Sequence, residues 1–137
     1  MSEMNSILVP YDSSPEAEKA LQNSFTIADA ADEIVILMVL EDPETSFFLG
    51  PSGDMSIENA YTYLETVKSR FLETGLKITV RVVRGNVVEE IIRISNEINC
   101  KLIVIGYKGV SKIGRFILGS VSGEVAKRAN KPVLIVK

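Results

Sequence analysis

The residues from 106 to 122 are spaced as if to hold an anion. Gly106-Tyr107-Lys108-Gly109 closes an apolar run, nine residues follow, and Gly119-Ser120 then opens a helical pattern. Glycine at a strand end can take positive φ and lets a ligand approach the backbone. The first N–H groups of a helix have no intrahelical acceptor and sit at the positive end of its dipole, where phosphate is favoured. Gly119, Ser120, Val121 and Ser122 would present such donors, and the serines add hydroxyls. The alternative use of these residues is plain turn glycine with a capping serine. The pattern is neither a Walker A motif, which needs Gly-Lys-Ser/Thr, nor the compact G-x-G-x-x-G fingerprint.

Asp12 is the second group with chemistry to offer. It follows the first apolar run and precedes Ser13-Ser14-Pro15, so it can organise a strand-to-helix turn or face a ligand. Glu41 and Asp42, after the second apolar run, are the other acids expected near the same end of the fold. Neither has a clear route to orienting water for phosphoryl transfer. Lys108, Lys112 and Arg115 either reach phosphates or form a solvated loop face. Cys100 reads as a small, partly buried thiol.

Composition removes whole classes of mechanism. With no histidine among 137 residues, a Ser-His-Asp triad, a Cys-His pair and histidine metal ligation are excluded. One cysteine forms no intrachain disulfide, which fits a reducing, cytoplasmic setting. A net charge of −3 argues against nucleic-acid binding and against an anionic membrane surface. No apolar run approaches the roughly 20 residues of a membrane-spanning helix. Residues 1–137 read as one domain, with 46% apolar residues to build its core.

Five stretches read as strands, Ile7 to Val9, Ile34 to Leu40, Leu76 to Val83, Leu102 to Ile105 and Val133 to Val136, with helical spacing between each pair. Regular β-α alternation predicts a parallel sheet with helices on both faces. Ser14 caps the first helix ahead of Pro15, and Ala17, Ala20, Leu21, Ser24, Phe25 and Ala28 form its buried stripe. The second helix starts near Asp54 or Ser56, buries Ile57, Ala60, Tyr61, Leu64, Val67 and Phe71, and stops at Gly75. Asn86 caps the third, striped by Val87, Ile91, Ile94 and Ile98. The fourth runs from Gly119-Ser120 to about Asn130, weakened by Gly123.

Leu102 to Ile105 is apolar throughout, as a strand covered on both faces should be. The third strand alternates Leu76, Ile78, Val80 and Val82 with Lys77, Thr79 and Arg81, and so reads as a side strand with one wetter face. Val133 to Val136 would pair with another chain if it lies at an edge. The stretch Glu41 to Gly53, with Phe47 and Phe48, either folds back on its own domain or serves as a lid or subunit contact.

These residues together resemble the universal stress protein family (UspA-like), in its ATP-binding class. Gly-x2-Gly-x9-Gly-Ser is met by Gly106, Gly109, Gly119 and Ser120. Ile7-Leu8-Val9-Pro10-Tyr11-Asp12-Ser13-Ser14 and Asn130-Lys131-Pro132-Val133-Leu134-Ile135-Val136 resemble the family's two ends, so the likeness spans essentially the whole chain. It implies a three-layer α/β/α sandwich, Rossmann-like and similar to the adenine nucleotide alpha hydrolase fold, with a five-stranded parallel sheet in order 3-2-1-4-5. It implies ATP where the first and fourth strands diverge, and Mg²⁺ or Mn²⁺ held mainly by the phosphates.

By the same resemblance Asp12, beside Pro10 and Tyr11, contacts the ribose or the metal. Val39, Leu40, Val83 and Gly85 flank the adenine, and a homodimer forms through 133–136. The function so implied is regulatory, with nucleotide changing conformation, dimer contacts or an unidentified protein partner. A slow ATPase or phosphotransferase and a nucleotide-free dimeric interaction module are the alternatives. No residue is assigned a catalytic role.

Overall fold

The computed structural model describes residues 5–41, 55–107 and 120–137. The elements run β1 (Ser6–Pro10), α1 (Pro15–Ile27), β2 (Glu33–Leu40), α2 (Ile57–Ser69), β3 (Lys77–Arg84), α3 (Val87–Glu97), β4 (Leu102–Gly106), α4 (Ser120–Arg128) and β5 (Val133–Val136). All strand pairs are parallel, and the sheet order is β3-β2-β1-β4-β5. The expected α/β/α sandwich in order 3-2-1-4-5 is what the chain forms. Among the described residues no helix is long and apolar enough to cross a membrane.

The alternation of side chains along the strands splits the core into two layers. Ile7, Val9, Ile36 and Val104 meet Ala17, Ala20 and Leu21 of α1 and Leu64 and Val67 of α2 on one face. Leu8, Leu37, Ile103 and Ile105 meet Ile91 and Ile94 of α3 and Val125 of α4 on the other. β3 shows the expected side-strand pattern, because Ile78, Val80 and Val82 are buried while Lys77 is exposed and Thr79 and Arg81 are half-buried. Cys100 is fully buried rather than partly so, and burial pushes its thiol pKa up.

Helix starts follow their capping chemistry. The side chains of Ser14, Ser56 and Asn86 accept N–H bonds from Ala17, Asn59 and Glu89 at 3.1, 3.0 and 3.0 Å. The second helix departs from expectation at its far end and on its surface. It stops at Ser69, and Gly75, with φ +79°, instead closes a short 3₁₀ turn over Leu72–Thr74. Ile57 and Tyr61 are exposed, and Tyr63 packs against the core instead. The buried stripe of α2 is thus narrower than the run of apolar residues suggested, and α2 lies mainly over the edge strand β3.

Candidate functional site

The two central strands part company halfway along. β1 pairs with β4 only at Ile7↔Leu102 and Leu8↔Ile103, whereas β1 stays with β2 to Pro10↔Leu37 and β4 stays with β5 to Gly106↔Val136. Beyond Leu8 and Ile103 the sheet therefore opens into a crevice at the point where its strand order reverses. Pro10 suits this opening. The Tyr11 N–H reaches Leu37 O on β2 at 2.7 Å, so the preceding nitrogen faces β4, and as proline it leaves no donor unpaired there.

The loop after β1 is held by its own side chains. Asp12 Oδ1 accepts the Ser14 N–H at 3.0 Å, which fixes an Asx turn, and Ser13 sits at φ 66° within it. Asp12 thus organises the turn and also lines the crevice. Across from it, Gly106 has no positive φ. Its missing side chain makes room for α1, because a Cβ there would lie 2.4 Å from the Glu16 carbonyl oxygen.

Tyr11 anchors the floor. Its hydroxyl donates to Glu18 Oε1 at 2.8 Å, and Arg70 donates to both Glu18 oxygens at 2.9 Å. Gln22 Nε2 adds a further bond to Glu18 at 2.8 Å. The Arg70 guanidinium, working against partial burial and helped by Tyr11 and Gln22, brings the Glu18 carboxyl down to about 2. Burial, and then the bond to Glu18, hold the Tyr11 phenol well above its ordinary value.

Twelve residues line the crevice, which encloses a cavity of about 130 Å³. Of the residues expected at the site, Pro10, Tyr11, Asp12, Val39, Gly106 and Val121 are brought together there. Leu40 points into the α1/α2 core, fully buried. Val83 pairs with Val39 from behind, and the Gly85 N–H is taken by Leu40 O at 2.9 Å. Ser120 is exposed at the start of α4, and Ser122 is buried with no hydrogen-bond partner for its Oγ among the described residues. Gly109 and Gly119 lie outside the described residues, as do Lys108, Lys112, Arg115, Asp42, Phe47 and Phe48.

Ala17, Leu37, Val87, Ile91 and Ile105 also line the crevice, though the sequence marks them only as core positions. Helical and strand periodicity show which residues turn inward and do not show which inward residues face a gap. Glu41, expected near this end, is part of the wall. Of the lining residues only Asp12 and Glu41 carry carboxylates. The remaining wall is largely apolar, as suits a flat organic ring, and Val121 brings the first turn of α4 to it.

A parallel sheet between two helix layers, open where its strand order reverses, defines a Rossmann-like sandwich of the kind that takes ligands beyond the carboxyl ends of its strands. The model of the universal stress protein family matches residues 4–137, and the chain belongs to that family. It is 30% identical over 151 residues to the universal stress protein MJ0577 of Methanocaldococcus jannaschii, covering 96% of this chain and 93% of that protein. A solved structure of MJ0577 superposes with a TM-score of 0.81, covering 98% of this chain and 96% of that one. A universal stress protein solved in complex with cAMP matches at 25% identity and a TM-score of 0.73, over 99% of both chains.

Proposed function

We propose that the chain is a regulatory protein that binds ATP in the crevice between β1 and β4. The observation that carries this reading is the early end of the β1–β4 pairing at Leu8 and Ile103, which leaves a gap walled by Val39, Ile105 and Val121 with Asp12 at its mouth. The base lies against the valine and isoleucine wall, which Val83 backs from the next strand. The phosphates lie toward the first N–H groups of α4 and the glycines at 109 and 119. The complex of a relative with cAMP supports an adenine nucleotide as the ligand class.

Asp12 fits a divalent cation only as a secondary contact. Its Oδ1 already accepts the Ser14 N–H, and no group of three or more acidic or cysteine ligands exists among the described residues. Mg²⁺ or Mn²⁺ would arrive on the phosphates, with Asp12 and Glu41 the carboxylates that line the crevice among the described residues. When bound it would neutralise phosphate charge beside Asp12 and Glu41.

A homodimer through β5 is part of the same reading, and the two edges of the sheet support it. β3 carries Lys77, Arg81 and Arg84, which discourage edge-to-edge pairing, whereas 133–136 is wholly apolar with Leu134 exposed. A cytoplasmic location is supported by the single buried cysteine.

Calorimetric titration with Mg-ATP is expected to give saturable heat for the wild type. Gly109→Val should lose it while keeping a native circular dichroism spectrum. No heat and no displacement of a fluorescent ATP analogue would overturn the reading and leave a nucleotide-free interaction module.

A further inference from the structure

The floor of the crevice is tied to a helix that does not line it. Arg70, the C-terminal cap of α2, grips the Glu18 carboxylate with two nitrogens at 2.9 Å. Glu18 accepts the hydroxyl of Tyr11 at 2.8 Å, and Tyr11 stands between Pro10 and Asp12 in the crevice wall. Beside Arg70, the Phe71 ring stacks on Phe25 of α1, with centroids 4.3 Å apart and planes 2° apart. The other end of α1 is seated on β4 through Gly106. One side chain thus joins the end of α2, the first turn of α1 and the loop after β1.

We infer that Glu18 and Arg70 are positioning residues for the nucleotide crevice: they fix Tyr11, and through it the Asp12 turn, so that occupancy of the crevice and docking of α2 on α1 are coupled. This rests on the ATP reading above. A carboxylate held by a bidentate guanidinium is an acceptor of fixed position, and a buried tyrosine hydroxyl needs one. Without Arg70 the Glu18 carboxylate keeps only Tyr11 and the exposed Gln22 amide as partners and is no longer gripped from α2. Tyr11 is only 5% exposed and would then lose its acceptor or shift, carrying its neighbours Pro10 and Asp12. Coupling is reciprocal, so ATP must in turn tighten the α2 dock.

The test compares the full-length wild type with Arg70→Met, Arg70→Lys and Tyr11→Phe. Mg-ATP affinity is read by calorimetry, and amide hydrogen exchange of 57–69 is followed with and without ATP. Arg70→Met is expected to bind about fivefold more weakly or worse, with Arg70→Lys between it and the wild type. ATP should slow exchange in α2 of the wild type and not of Arg70→Met, a difference that a merely stabilising ion pair would not produce. Should Arg70→Met fail to fold, Tyr11→Phe, which removes only the hydroxyl, carries the same expectation. Equal affinity in wild type and variants, or equal slowing of α2, overturns the coupling. Absence of ATP binding in the wild type overturns the nucleotide reading itself, and is seen before any variant is compared.

Discussion

The carbonyl oxygen of Glu16 occupies the space in which a side chain on Gly106 would begin, 2.4 Å from an ideal Cβ. The first turn of α1 is therefore pressed against the end of β4, and Ala17 and Gly106 on either side of that contact both line the crevice. The obstacle is backbone, which cannot rotate away as a side chain can. Gly106→Ala should push α1 off the sheet and destabilise the fold by about 1–3 kcal/mol, in the range of overpacked cores. A urea unfolding midpoint equal to that of the wild type would show that the contact yields.

Ser13 holds φ 66° in the loop between β1 and α1. A left-handed conformation costs a non-glycine residue about 1–2 kcal/mol, and the Asp12–Ser14 bond helps to hold it there. Ser13→Gly relieves that strain at some cost in chain entropy. The expected net effect is a gain of roughly 0.5–1 kcal/mol in unfolding free energy, measured by urea titration. A loss of stability would mean that the serine is not strained.

Glu18 gives a pH signature. Its carboxyl titrates near 2 in the folded chain, against an ordinary value of 4.5. A lowered folded value means that the Glu18–Arg70 pair stabilises fully above the unfolded value and loses its effect as pH falls through about 2. Arg70 is partly solvated, which limits the contribution to on the order of 1 kcal/mol. The difference in stability between wild type and Glu18→Gln should be full near neutral pH, shrink below pH 4.5 and vanish toward pH 2. A difference that stays constant across that window would remove the ion pair as its source.

Leu134 tests the assembly. It is 39% exposed on the edge strand, whereas Ile135 packs into the α3/α4 core, so Leu134 can be altered with less damage to the fold. Leu134→Lys would place like charges near each other in a dimer paired through β5. The expected result is dimer affinity lower by about tenfold or more, seen in sedimentation. An unchanged profile would exclude this edge as the contact.

Much of the fold was legible because its signals are local. Ser14, Ser56 and Asn86 cap helices through bonds spanning three residues, and the alternation in β3 needs nothing beyond the strand itself. The sheet order rested on the family's motifs, since pairing between strands is not written in either strand. The errors lie where exposure depends on neighbours: Ile57 and Tyr61 match the helical period of α2, yet both are exposed, and the period alone does not say how wide a face its neighbours cover.

The glycine-serine motif, Asp12 and the apolar strand ends were visible as residue types at given spacings, so the chain alone determined the class of fold and the end of the sheet at which the crevice opens. Only the folded molecule showed that Gly106 seats a helix, that Asp12 ties its own turn, and that Val87 and Ile91 wall a gap. It also brought Arg70 to Glu18 across 52 residues of chain. Such contacts arise when separate elements are packed together, and periodicity within one element carries no information about what it will meet.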